Sequence, residues 1–304
     1  MSIEQPAKSP PVLRTLTASE LMAADLSRRT ILEPILASKS LALLYGPRGS
    51  GKTFLALGIA WAAASGGRFL GWQAPRPHRV VYVDGEMAAS DMRARLGLFG
   101  TVPQTLTFLL GDLNLRSEGL PDLGRVEGQL TLGRNWGAWP DLLVLDNLSS
   151  LVGRDRKGAE CWAEVQRFLI HLRRANVAVL VVHHADRKGR PRGASQREDL
   201  LDLVLALRRP ADYAPRDGAR FEIHFEKARG LWGDAVEPIE ARLATDGEGA
   251  ARWSWQPVQR RELDRIATLL KAGLNPNQIA RELGISKSKS YRLREKAIEV
   301  RLTG

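Results

Sequence analysis

The chain has 304 residues, a formal charge of +11 and a single cysteine, Cys161. That length allows one large core of roughly 200 to 250 residues with a small appendage. One cysteine excludes a disulfide framework and a thiolate-rich metal site, and the longest apolar run, residues 54–64, is too short to cross a bilayer as a helix, so a cytoplasmic chain without a membrane partner is expected.

Residues 1–16, with Pro6, Pro10 and Pro11, read as a leader. Thr17 and Glu20 have the spacing of a capping box, which predicts a short helix to about residue 26. A strand broken by Pro34 is expected at 31–36. The apolar run 41–45 then reads as a buried parallel strand, and 54–64 as an alanine-rich helix. Between them lies Gly46-Pro47-Arg48-Gly49-Ser50-Gly51-Lys52-Thr53, which fits G-x-x-x-x-G-K-[ST] in the strand–loop–helix setting a phosphate loop requires. Its glycines let backbone N–H groups turn toward a polyphosphate at a helix N-terminus. Lys52 would reach the terminal phosphates, and the Thr53 hydroxyl would ligate Mg²⁺.

Strands are expected next at 79–84, 106–110, 142–145 and 177–182, with helices at 87–98 and 158–174, so the sheet is parallel with helices on both faces. Runs at 201–207, 220–227 and 238–244 predict a finish in antiparallel edge strands. In the second of these, Phe221, Ile223 and Phe225 alternate with Arg220, Glu222, His224 and Glu226, as on a half-exposed strand.

Carboxylates stand at the ends of two of the buried strands. Asp146 closes an apolar run in a Walker B pattern and would face the phosphate loop to hold Mg²⁺. Asp84-Gly85-Glu86 ends another, with Glu86 as candidate base for an attacking water and Asp84 as its competitor. The pair His183-His184 ends the 177–182 strand, where one of them would contact the terminal phosphate. Arg187, Lys188, Arg190 and Arg192 follow in a basic loop suited to a nucleic-acid backbone, and 154–157 is a second such loop.

Trp253 and Trp255 are expected to close this unit, with 256–259 as linker. Helices should follow at 261–271, 276–283 and 287–300, with Asn275 as a start, Gly273 and Gly284 as stops and Ser286 as a cap. Residues 257–304 hold 11 Lys or Arg against 5 Asp or Glu, which places +6 of the +11 here and predicts a nucleic-acid partner. The division is therefore 1–29, 30–256 and 257–304. PNQIARELGISKSKSYRLREK resembles a helix-turn-helix of the recombinase and regulator type. That resemblance implies a core of Ile279, Ala280, Leu283, Ile285 and Leu293, with Lys287, Ser288, Lys289 and Arg292 facing duplex DNA. Ser290 departs from it, since a branched apolar residue is usual there.

In order, GPRGSGKT, VVYVDGEM, LLVLDN, VVHHADRKG, RPRGAS and FEKARG resemble the RecA-type ATPases of the plasmid RepA hexameric helicase group, over roughly residues 30–245. The resemblance implies an α/β fold with a RecA-like core, ATP and Mg²⁺ as ligands, and a homo-oligomeric, hexameric ring. By the same resemblance Glu86 activates water, Asp146 supports Mg²⁺ and His184 senses the γ-phosphate. Lys227-Ala228-Arg229 would reach the neighbouring subunit's nucleotide, Arg229 as a finger acting in trans. Two readings follow: a DNA-associated ring motor of a mobile element, with single strands in the channel loops, or an ATP-dependent switch held on duplex DNA.

Overall fold

The computed structural model describes residues 13–114, 119–136, 138–153, 159–185, 199–245 and 251–303. A nine-stranded sheet forms its centre, in the order β13-β12-β11-β10-β3-β9-β8-β6-β7. The six strands at the β7 end run parallel: β3 (Leu41–Gly46), β6 (Val80–Asp84), β7 (Leu106–Leu110), β8 (Leu142–Asp146), β9 (Ala178–His184) and β10 (Leu203–Arg208). Three antiparallel strands complete it: β11 (Arg220–Ala228), β12 (Ile239–Thr245) and β13 (Ala251–Pro257). This is a RecA-like core, with β9 inserted between the phosphate-loop strand β3 and the Walker B strand β8.

The parallel strands read as unbroken apolar runs because both of their faces are covered. Ala42 and Leu44 of β3 face a layer with Leu55, Ala56 and Ile59 of α2 (Lys52–Ser65). Leu41, Leu43 and Tyr45 face the opposite layer, with Phe168, Leu169 and Leu172 of α5 (Ala159–Arg174). α3 (Ala89–Leu96) follows β6, and α4 (Val126–Arg134) precedes β8.

Several expected boundaries move. The capping box forms at Thr17, but α1 (Ala18–Ala23) ends before residue 26. The run at 31–36 is a separate antiparallel hairpin, β1 (Thr30–Leu32) with β2 (Leu36–Ala37), turning at the cis Glu33-Pro34 bond. A second hairpin, β4 (Arg68–Phe69) with β5 (Trp72–Gln73), had no clear pattern in so short a stretch.

Two expectations are overturned at the C-terminal side. Residues 256–259 are not a linker: β13 carries through Pro257 and α6 (Val258–Lys271) starts at once. Trp253 instead plugs the core from that edge strand, 5.3 Å from Phe69, 5.9 Å from Phe221 and 6.0 Å from Phe54. The polar face of β11 is half-exposed only in its second half: Glu226 is exposed, but Arg220 is 12% exposed among Asp212, Asp217 and Glu240, and Glu222 is 9% exposed with Arg261 of α6 as its counter-ion.

α6, α7 (Pro276–Leu283) and α8 (Lys287–Thr303) close on Ile266, Ile279, Leu293 and Ala297. Ala280 is buried with them, and Leu283 and Ile285 pack against the cluster. Asn275 caps α7 and Gly284 ends it in the left-handed conformation. Ser290 is wholly buried and its hydroxyl donates to the Pro276 carbonyl at 2.8 Å, so a polar contact fills the place of the branched apolar residue.

Candidate nucleotide site

The parallel strands end together, and that alignment assembles the site. Gly46 is registered with His184 on β9, and Asp84 with Asp146 on β6 and β8. From Gly46 the chain turns through Pro47, Arg48, Gly49 and Ser50 into α2. Gly51 is left-handed, with φ 97°, and a Cβ there would lie 2.4 Å from Phe221 Cδ1, so no other residue fits the turn. Beside it lies a cavity of about 400 Å³, lined by the loop from Gly49 to Thr53 and by Asp84, Glu86, Asp146, Asn147 and His184.

Lys52 is 6% exposed and its Nζ donates to the Pro47 carbonyl at 2.7 Å. Burial lowers its pKa, while Asp146 and Glu86 oppose that shift. Asp146, 4% exposed, accepts a hydrogen bond from Tyr82 Oη at 2.6 Å and another from the Thr53 hydroxyl. Its burial still raises its pKa. Ser50 Oγ and Asn147 Oδ1 are buried with no hydrogen-bond partner among the described residues. A polyphosphate with its divalent ion supplies the partners such groups need, so the residues present fit ATP and Mg²⁺. Among the described residues no cluster of three or more His, Cys, Asp or Glu is placed to hold a metal.

Geometry also separates the two carboxylates after β6. Asp84 Oδ1 accepts from the backbone N–H of Glu86 at 3.0 Å and of Met87 at 2.6 Å, and the residue is 2% exposed. It fastens the turn. Glu86 projects from that turn with a side chain 54% exposed, its Oε2 3.9 Å from His184 Nε2. His184 also meets Asn147 Nδ2 at 3.2 Å, whereas His183 faces the other side and pairs with Ser149 Oγ at 3.3 Å.

Burial pushes the Asp84 carboxyl up to about 6, with the nearby Asp146 charge adding to the effect. The folded value therefore lies above the unfolded one, so this group stabilises the fold at low pH and loses that contribution as pH rises through about 4 to 6. Asp84→Asn keeps the acceptor and removes the titration. Thermal unfolding across pH 4.5 to 7.5 should show the variant gaining on the wild type by on the order of 2 to 3 kcal/mol at the upper end. An unchanged gap between the two proteins would mean that Asp84 is not buried as a titrating acid.

Lys227, Ala228 and Arg229 lie far from this cavity. Ala228 pairs with Leu203, which sits beside Ala42, four residues before Gly46; at about 3.3 Å per residue the separation is about 13 Å or more. Lys227 is half-buried. Arg229, 54% exposed, donates to the Asp199 carbonyl at 2.9 Å and approaches Asp202 at 3.7 Å. Asp202 also accepts from the Leu41 N–H at 3.0 Å and from Arg173 at 2.7 Å.

Residues 7–190 match a family model described as an AAA domain. The chain belongs to this AAA-domain family. The AAA-domain chain is a P-loop ATPase, its phosphate loop and Walker B strand both inside the matched region. No curated protein matches it in sequence. Among solved structures it is similar to a KaiC-like protein of Pyrococcus horikoshii, at 16% identity over 75% of this chain and 94% of that one, with a TM-score of 0.48. FlaH, a flagellar accessory protein of Methanocaldococcus jannaschii, matches at 11% identity over 71% and 90%, with a TM-score of 0.49.

Of the expected nucleic-acid contacts, Arg187, Lys188, Arg190 and Arg192 lie outside the described residues, as does the 154–157 loop. On α8, Lys287, Ser288 and Arg292 are exposed, but Lys289 is tied to Glu262 of α6 at 2.8 Å. Sequence reasoning missed three supports of this AAA-domain site. Tyr82, two residues before Asp84, was legible only as a strand residue. Asn147 was passed over as the residue after Asp146. Arg220 was taken for part of a solvated face, although with Gly218 and Ala219 it lines the cavity.

Proposed function

We propose that this ATPase works as a head-to-tail ring on DNA, a replicative motor of the RepA helicase kind, in which each subunit completes its neighbour's site. The observation that supports it is the placement of Lys227, half-buried, and Arg229, exposed, at the end of the sheet opposite their own subunit's cavity. A finger so placed reaches a nucleotide only across a subunit boundary, which implies a heterologous, ring-closing contact, with six subunits expected. Within one subunit, the loop from Gly46 to Thr53 cradles the phosphates and Lys52 neutralises their charge. Thr53 and Asp146 would hold Mg²⁺, which would supply charge stabilisation at the phosphates. Glu86 takes the proton of the attacking water, and His184, beside Glu86 and Asn147, reads the terminal phosphate. Single-stranded DNA would follow Arg187, Lys188, Arg190 and Arg192, and duplex DNA would meet Lys287, Ser288 and Arg292, with Lys289 contributing only if it leaves Glu262.

A second reading, an ATP-dependent switch on duplex DNA that recruits a partner without unwinding, is favoured by the direct run of β13 into α6, which ties the three helices to the ATPase sheet. ATPase rate per subunit against protein concentration, with and without single-stranded or duplex DNA, separates the two. A rate that climbs with concentration and with single strands supports the motor. A rate indifferent to both, with duplex binding retained, would sink the ring and leave the switch.

A further inference from the structure

Arg220 opens β11 and forms part of the cavity wall. Its guanidinium meets Asp217 at 2.9 Å, Asp212 at 3.0 Å and Glu240 at 3.2 Å. Two of these three carboxylates are shared with α6: Glu240 also holds Arg261, and Asp212 also holds Arg265 at 2.9 Å. Arg261 further takes Glu222 at 3.1 Å, which is bonded to His224 at 2.9 Å. Three arginines thus divide four carboxylates, of which Glu222 and Glu240 are less than a tenth exposed. Among the buried members, Arg220, Arg261, Glu222 and Glu240, such contacts are weakly screened, so a shift by one arginine is felt by the other, with Arg265 joined to them through the more exposed Asp212.

We propose that Arg220 is a positioning residue that couples nucleotide in the cavity to the seating of α6. A polyanion entering the cavity draws the Arg220 guanidinium toward itself. Glu240 and Asp212 are then left to Arg261 and Arg265, and α6 is held more tightly on the sheet. Coupling of this kind is reciprocal. Without Arg261 and Arg265, both carboxylates fall to Arg220 and hold it back from the nucleotide. The inference rests on nucleotide occupying this cavity, and on neither the oligomer nor what the three helices bind.

The test uses the full chain, a fluorescent ADP with Mg²⁺, and hydrogen exchange at residues 258–271. Arg261→Met combined with Arg265→Met should raise the Kd for ADP on the order of 5- to 10-fold. In the wild type, ADP should slow exchange across 258–271. Arg220→Met should abolish that slowing and Arg220→Lys restore part of it, which a merely structural arginine would not do. A double variant that melts cooperatively and binds ADP as the wild type does overturns the proposal, and so does wild-type exchange at 258–271 that ignores ADP. Should the double variant not fold, the wild-type exchange decides alone. If ADP fails to bind the wild type at all, the nucleotide site itself is wrong and the coupling goes with it.

Discussion

Arg229→Ala is expected to lower turnover by about 10³- to 10⁵-fold, the range by which a trans arginine stabilises charge on a transferring phosphoryl group. Nucleotide affinity measured on isolated subunits should stay unchanged, because the residue stands about 13 Å or more from its own cavity along the strands. Stability should change little: the pair with Asp202 is long and exposed, worth under about 1 kcal/mol, and Asp202 keeps the Leu41 amide and Arg173. The decisive control is mixing. Arg229→Ala subunits offer an intact cavity and Glu86→Gln subunits an intact finger, so a mixture regains turnover that neither has alone. If Arg229→Ala is fully active, or inactive without rescue on mixing, the trans finger is wrong.

Glu86→Gln is expected to cut kcat by about 10²- to 10⁴-fold, the usual worth of a positioned general base. Glutamine preserves length and hydrogen bonding but takes up no proton, so ADP affinity should be retained. The structure sets Glu86 apart from Asp84, whose carboxylate already accepts two backbone amides and is shut away from water. Steady-state rates with a parallel ADP titration check this. A fall of only a few-fold would point to a base elsewhere in the cavity.

How far the sequence reveals this molecule depends on whether a feature is local. The phosphate loop was legible in full, because spacing, glycines and flanking elements lie within 24 residues of one another. Five of the six parallel strands were legible because burial on two faces leaves unbroken apolar runs, whereas β10, expected among the antiparallel edge strands, lies inside the sheet and runs parallel to β3. Arg220 and Glu222 were misread for a physical reason: alternation reports that one face of a strand is polar, not whether that face meets water or an arginine-bearing helix. Tyr82 escaped likewise, since nothing local says that its hydroxyl ends 2.6 Å from Asp146. The supposed linker at 256–259 failed because a tryptophan-rich edge strand has the same composition as the end of a domain.

That missing linker bears on how such a protein could have been assembled in evolution. A unit joined by a hinge can be exchanged between chains like a bead on a string. Here the last strand of the ATPase passes into the first helix of the appendage without an intervening residue, and Arg261 of that helix neutralises Glu222 and Glu240 on the sheet. Excising the helices would take Arg261 from both carboxylates, leaving Glu240 to Arg220 and Glu222 to His224. A chimera that borrows these helices must therefore also borrow the acidic bed they lie on.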